Sequence, residues 1–349
     1  MKEFSIQGRP VGASSPCFII AEAGVNHNGD PAMAHRLVDA AADARADAVK
    51  FQTFDADALA SADAPKAAYQ AALTGAGESQ REMLRKLELP HEVHVALKRH
   101  AEERGLIMLS SPFEERSADF LETLGVPAFK VGSGEITNHP FLEYLAKKGR
   151  PLLVSTGMSE LAEVEAAVAV IAAAGDPPLA LFHCTSSYPA PDDAANLRAL
   201  GTLQRRFDLC IGYSDHTLGT AIPWAAIAMG ACLLEKHLTL DRGLPGPDHA
   251  ASMDAAGFTD LVTGVRRIEA ALGDGRKTMQ ACERDTQRVA RKSLFAARDL
   301  RAGESLDAQA VVCRRPGIGI SPARLPALLG RRLQRAIAAD TMLQESDLG

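Results

Sequence analysis

Short, almost uninterrupted apolar runs alternate along this chain with longer stretches of helical period. Eight runs stand out: Cys17–Glu22, Ala48–Gln52, Leu106–Ser111, Ala128–Ser133, Pro151–Thr156, Leu179–Thr185, Leu209–Ser214 and Ala231–His237. Each ends in small or polar residues. Runs of this kind are parallel strands covered on both faces. Between them lie helical candidates such as Pro31–Arg45, Glu115–Leu124, Glu160–Ala174 and Thr220–Met229. Strands alternating with helices imply right-handed βαβ units. Eight such units in roughly 250 residues match a closed (β/α)8 TIM barrel. An open doubly wound sheet is the competing architecture, but no G-x-G-x-x-G follows the first run.

Two regions depart from the repeat. The connection Asp55–Arg104 is long, and its pattern predicts two helices and a polar loop. A connection of that length after a barrel strand commonly serves as a lid. Beyond Gly273 the sequence becomes charged and loses its apolar runs. It then resumes with two short strand candidates, Ser293–Ala297 and Ala310–Arg314, among turn residues. The chain is therefore read as α/β: a barrel over 1–273, a linker over 274–290 and a small β-rich domain over 291–349. The last piece is too small to be stable alone and is expected to dock on other structure.

Composition narrows the function classes. The 349 residues are 46% hydrophobic, enough for a large core, and carry a net charge of −6 with signs interspersed. No basic stripe suggests nucleic acid, and at 5% aromatics there is no stacking surface for single strands. The six cysteines form no C-x-x-C pair, which fits free thiols in a reducing compartment. No signal peptide or membrane span is evident, so a soluble cytoplasmic protein is expected.

In this barrel class the site lies at the C-terminal strand ends, so the residues ending each run belong together. They include Glu22, Asn26 and His27; Lys50 and Gln52; Ser110 and Ser111; Lys130, Ser133, Gly134 and Glu135; and Ser155 and Thr156. Ser186 and Tyr188, then Ser214, Asp215 and His216, and finally Glu235, Lys236 and His237 complete the set. Lys50 and Lys130 sit inside apolar runs, where an unpaired ammonium is costly. With the hydroxyls around them they suggest an anionic, phosphorylated substrate. His216 and His237 end adjacent strands and together can share a divalent metal with oxygen ligands such as Glu22 and water. His27 reads instead as a turn residue. Glu22, Glu135, Glu235 and Asp248 are open as acid or base candidates, and burial and neighbours decide their direction.

The segments IIAEAGVNHNG, VKFQTF, LSSPF, FKVGSGEITNHPFLE, VSTGM, HCTSSYPAP, GYSDHTLG and EKHLTLDRGLPGPDH together resemble the sialic acid synthase family. That family comprises N-acetylneuraminate synthase and its relatives for legionaminate, pseudaminate and spore-coat sugars. RKSLFAARDLRAGESL and VCRRPGIGI resemble its C-terminal antifreeze-like (SAF) domain, so the likeness covers nearly the whole chain. It implies condensation of phosphoenolpyruvate with the open-chain aldehyde of an N-acylhexosamine, releasing phosphate and giving a nine-carbon 2-keto acid.

Carried over by position, the resemblance implies that Lys50, Ser111, Lys130, Ser133, Ser155 and Ser214 hold phosphoenolpyruvate, with Gly134 and Ser186 as further substrate-binding positions. His216 and His237 would hold the metal, Mn2+ first, with Mg2+ or Co2+ as alternatives. Gln52, Glu135, Tyr188 and Asp248 would position the sugar. Arg315 would reach the sugar's N-acyl group in a neighbouring subunit's barrel, implying a domain-swapped homodimer. Lys50 and Lys130 are assigned to the catalytic cluster, and Glu22 is the candidate to orient or deprotonate the attacking water. Ser186 stands where some relatives have Asn, and Ser111 where Thr is common. LPGPDHAASMD and APKAAYQ resemble the neuraminate and legionaminate branch more than the pseudaminate one. The expected acceptor is N-acetylmannosamine, with the 2,4-diacetamido-6-deoxy sugar leading to legionaminate as the runner-up. A non-catalytic sugar-binding barrel would have lost the lysines and histidines, which are present. A metal-dependent aldolase would release no phosphate.

Overall fold

The computed structural model describes residues 2–75 and 77–349. They divide between Gly273 and Asp274 into two compact units.

The first unit opens with a hairpin absent from the sequence pattern, β1 (Phe4–Ile6) paired antiparallel with β2 (Arg9–Val11). Eight parallel strands follow: β3 (Phe18–Gly24), β4 (Ala48–Thr53), β5 (Ile107–Pro112), β6 (Phe129–Val131), β7 (Leu152–Ser155), β8 (Leu179–Cys184), β9 (Cys210–Asp215) and β10 (Leu233–Thr239). Each pairs with its successor, and β10 pairs with both β9 and β3, which closes the barrel. A two-residue strand, β11 (Met253–Asp254), adds to β10 from outside. All eight apolar runs hold a strand; the largest trim is Ala128–Ser133, which narrows to Phe129–Val131.

The helices start and stop on local chemistry. Asp30 accepts from the Ala32 amide and Pro31 occupies the first turn of the helix Pro31–Asp43, which turns Ala34, Leu37, Val38 and Ala41 to the sheet. Gly125, at φ 82°, ends the helix Glu115–Leu124 in the left-handed region that favours glycine. The long connection after β4 holds four helices rather than the expected two: Ala56–Leu59, Ala68–Thr74, Gln80–Arg85 and His91–Glu103. The first three are one or two turns each, too short for a helical period to show. Asp55 and Ser79 cap two of them.

Because side chains alternate along a strand, the barrel strands feed two cores. Ile19, Ala21, Val49, Phe51, Leu152, Ile211 and Leu234 face the helices. Phe18, Ile20, Ala48, Leu109, Leu153, Phe182 and Leu233 fill the barrel interior. Ile6 and Val11 of the hairpin join that interior core and close the N-terminal end of the barrel.

The second unit contains the short helix Arg284–Ala290, within the stretch read as a linker, and the antiparallel pair β12 (Ser293–Ala296) and β13 (Val311–Arg314). The Gly317 amide donates to Arg288 O at 2.7 Å, tying that helix to the rest of the unit. Leu294, Leu300, Leu306, Leu333, Ile337 and Leu343 make its own core. Among the described residues no helix is long and apolar enough to cross a membrane.

Candidate active site

The inward-facing positions of the barrel change character along its axis. Phe18 and Ile20 are followed on the same face of β3 by Glu22, Ala48 on β4 by Lys50 and Gln52, and Leu109 on β5 by Ser111. Ala128, just before β6, is followed by Lys130, Leu153 on β7 by Ser155, and Leu233 on β10 by Glu235 and His237. These polar ends line a cavity of about 460 Å3. It is bordered by Glu22, Lys50, Gln52, Ser111, Lys130, Ser133, Gly134, Glu135, Ser155, Ser186, Tyr188, Ser214, His216, His237 and Asp248. Of the residues that the family resemblance assigns to the site, Arg315 alone lies outside this set. It stands exposed in the second unit, with its Nε donating to Ala290 O at 3.0 Å.

Strand parity removes three other strand-end residues from the mouth. Ser110 faces the helix layer and shares a 2.7 Å hydrogen bond with Thr53. Lys236 pairs there with Asp215 and donates to Thr217 O at 2.7 Å. His27 makes a turn, as expected: its Nδ1 accepts from the Gly29 amide at 3.0 Å.

The floor of the cavity is a buried charge network. Lys50 Nζ lies 2.8 Å from Glu22 Oε2 and 3.7 Å from Glu235 Oε2, and donates to Ser111 Oγ at 3.1 Å. Lys130 Nζ donates to Ser155 Oγ at 2.7 Å, lies 3.5 Å from Glu235 Oε1 and sits 5.3 Å from the centroid of the Phe182 ring. Ser214 Oγ donates to Glu235 Oε1 at 3.0 Å, and Gln52 Nε2 donates to Glu22 Oε1 at 3.1 Å. Glu235 thus bridges both ammonium groups. It was one of four open carboxylates in the sequence. Its inward parity with His237 is the signal that places it.

The network sets the carboxyl groups apart. Burial raises Glu22 to about 7, Lys50 pulls it back, and Glu235 adds to the rise. Burial pushes Glu235 the same way, but Lys130 and Lys50 outweigh it and hold that carboxyl down at about 2. Burial lowers Lys130, with Glu235 opposing. Burial also works against the Lys50 ammonium, yet Glu22 and Glu235 leave it above its ordinary value. Asp248 is raised by burial to about 6, Lys50 opposing.

Above the floor, His216 and His237 stand with ring centroids 5.5 Å apart. His216 Nδ1 donates to Thr185 O at 2.8 Å, so its Nε2 carries the lone pair. His237 Nδ1 is buried without a hydrogen-bond partner, and Asp248 Oδ2 is 3.7 Å away. Burial lowers both imidazoles, and His216 adds to the effect on His237. Two neutral imidazoles, one with an orphaned buried nitrogen, are a donor pair suited to a divalent ion. No group of three or more His, Cys, Asp or Glu forms a complete ligand set among the described residues. An ion here would take its remaining ligands from substrate and water.

One side of the mouth is shaped by close backbone approach. The Gly157 amide donates to Ser133 Oγ at 2.9 Å, and Ser133 Oγ and Cys184 Sγ are 3.2 Å apart. A Cβ on Gly157 would sit 2.3 Å from Ser186 Oγ, so any side chain there would displace Ser186. A Cβ on Gly134 would meet nothing within 4 Å, which leaves space for a ligand there. Glu135 accepts from Asn138 Nδ2 at 2.7 Å. The Tyr188 ring lies 4.2 Å from His216, and Tyr69, from the long connection, lies 5.1 Å from Tyr188. Sequence reasoning missed Tyr69, which lies in a helix of the long connection, Gly157, which lies beyond the end of β7, and Cys184, which ends β8 but reads as one more apolar residue of its run. The Asp248 loop is fastened by Asn28 Nδ2 donating to Pro245 O at 2.8 Å and by Ser252 Oγ donating to Asp248 O at 2.7 Å.

Comparison with known proteins gives the same picture from outside. Residues 37–277 match the NeuB family and residues 291–349 the SAF domain. The chain is 45% identical over 339 residues to the N,N'-diacetyllegionaminic acid synthase of Legionella pneumophila, covering 96% of this chain and 95% of that one. It is 36% identical over 341 residues to the human N-acetylneuraminate-9-phosphate synthase, covering 97% and 94%. Among solved structures, the N-acetylneuraminic acid synthetase of Leptospira borgpetersenii in complex with citrate superposes with a TM-score of 0.73. It shares 34% identity over 82% of this chain and 95% of that one.

Proposed function

The chain belongs to the NeuB family and is an enzyme, and on that premise we propose that it condenses phosphoenolpyruvate with the open-chain aldehyde of an N-acylhexosamine. The acceptor we assign is the 2,4-diacetamido-2,4,6-trideoxymannose of the legionaminate branch, in place of the N-acetylmannosamine expected from sequence. Identity of 45% to a legionaminic acid synthase, against 36% to an N-acetylneuraminate-9-phosphate synthase, favours that order.

The observation that carries the reading is the floor: Lys50 and Lys130, both buried, amid Ser111, Ser155 and Ser214. Ammonium groups and hydroxyls there bind the phosphate and carboxylate of phosphoenolpyruvate. Gln52, Glu135, Ser186, Tyr188 and Asp248 position the sugar, which makes the encounter effectively intramolecular. The enol carbon then bonds to the aldehyde carbon, and the aldehyde oxygen takes up a proton. Water adds to the central carbon of the former phosphoenolpyruvate. Breaking that carbon's bond to the phosphate oxygen gives the 2-keto group and free phosphate. Glu22, buried and raised to about 7, accepts the water's proton.

His216 and His237 would hold Mn2+, with Mg2+ or Co2+ as alternatives. Such an ion supplies Lewis acidity toward the aldehyde oxygen. The charge balance of the floor supports it. Glu22 and Glu235 already engage both lysines, so a polyanionic substrate needs further positive charge. Arg315 is assigned to the acceptor's N-acyl group in the barrel of a partner copy, in a domain-swapped homodimer.

The test is phosphate release from phosphoenolpyruvate with Mn2+ and each acceptor, with and without chelator. Acceptor-dependent release that the chelator abolishes is expected. Product formation without phosphate release would make the enzyme an aldolase.

A further inference from the structure

The cavity has a second wall, of different chemistry from the floor. In the same cavity as the ionic strand ends, the long connection after β4 brings Leu59, Met83, Leu84 and Leu87 to the mouth, with Tyr69 and Gln80. Met83 and Leu87 pack with Val25, and with Phe54 and Leu84, as a small hydrophobic core separate from those of the barrel. The wall is held by local bonds. Ser79 caps the helix Gln80–Arg85, the Gln80 amide donates to Ala64 O at 2.9 Å, and Lys66 Nζ donates to Thr74 Oγ1 at 2.9 Å. Lys66 also lies 3.3 Å from Glu78, with its side chain 2% exposed.

A reacting acceptor is oriented by its aldehyde end. Its aldehyde carbon must come within about 3–3.5 Å of the enol carbon held on the floor. The far end of the sugar chain, C4 to C6, then points away from the lysines and against the apolar wall. A hydroxyl set against the leucine and methionine side chains loses its water and gains no partner from them. A methyl group, or the methyl of an acylamino group, loses nothing.

We propose that this wall, with Leu59 and Leu84 as its half-buried members, is the specificity-determining surface for the acceptor's distal end. It selects a 6-deoxy sugar over its 6-hydroxy counterpart. The inference rests on the synthase reading above, and its test separates the two. Phosphate release is measured with N-acetylmannosamine and with 6-deoxy-N-acetylmannosamine, which differ only at C6. The wild-type kcat/KM ratio is expected to favour the 6-deoxy acceptor by about 10- to 200-fold, the range for one group in an apolar pocket. Leu84→Asn and Leu59→Ser should each shrink the ratio at least several-fold with the KM for phosphoenolpyruvate unchanged, and Leu84→Met should keep it. The unchanged KM shows that the variants are folded. No release with any N-acylhexosamine would overturn the synthase reading itself. Release with no 6-deoxy preference, or with a preference that survives both polar variants, would overturn the role of the wall alone.

Discussion

The barrel interior holds two environments stacked on one set of strands, and β3 shows both within five residues. Phe18 and Ile20 point into the lower interior, where they share a buried apolar core with Ile6 and Val11 of the N-terminal hairpin. Glu22 points into the upper interior, within ion-pair distance of Lys50. The lower half follows ordinary packing physics: burial of apolar area stabilises it, and any void is felt. The upper half works against stability. Lys50, Lys130, Glu22 and Glu235 are all nearly excluded from water, and each buried ion carries a desolvation penalty of several kcal/mol that pairing only partly offsets. Stability and chemistry are therefore separated along the barrel axis, and a substitution should disturb one or the other according to its height.

The largest effect expected is at the top of β3. Glu22→Gln keeps shape and hydrogen-bonding capacity but cannot accept a proton. Turnover should fall by about 10²–10⁴-fold, the usual worth of a general base, while phosphoenolpyruvate still binds. Single-turnover phosphate release beside equilibrium binding measures both, and near-normal turnover would remove Glu22 from its role. Four residues below, Phe18→Ala should act in the opposite sense. It should cost about 3–5 kcal/mol in denaturant unfolding and leave turnover per folded molecule within a few-fold. A turnover loss as deep as that of Glu22→Gln would mean that the two halves are not separable.

A smaller effect sharpens the comparison through pH. Burial raises Asp248 from 3.8 to about 6, so the folded state binds its proton more tightly than the unfolded chain does. Stability from this group is complete below pH 3.8 and is lost as pH rises through 6. Asp248→Asn should therefore match the wild type at low pH in metal-free protein. Across that window it should become the more stable of the two, by up to about 3 kcal/mol above pH 6. Urea unfolding at a series of pH values reads the difference directly. A constant offset would show that Asp248 ionises freely in the folded state.

Much of this was legible in the residues. Eight apolar runs are enough for eight strands, because a strand buried on both faces has little alternative composition. The strand-end rule then gathers the mouth residues. What it could not do is choose between neighbours. Lys50 and Lys236 both sit among apolar residues near strand ends, yet one meets Glu22 at the mouth and the other is paired with Asp215 among the helices. The short helices Ala68–Thr74 and Gln80–Arg85 were also hidden, since one or two turns carry too little period to be seen.

By itself, then, the sequence determined the α/β class, the barrel, the break after Gly273 and the polar character of the strand ends, because these follow from composition and spacing within each segment. Closure of β10 on β3, and with it the parity that sends Glu235 inward and Lys236 outward, was decided by the tertiary structure. So were the opposite shifts of Glu22 and Glu235 and the apolar wall that shares a cavity with the charged floor. Each depends on distances between residues far apart in the chain. In a buried, low-dielectric site a separation of one or two ångström decides which carboxyl keeps its proton.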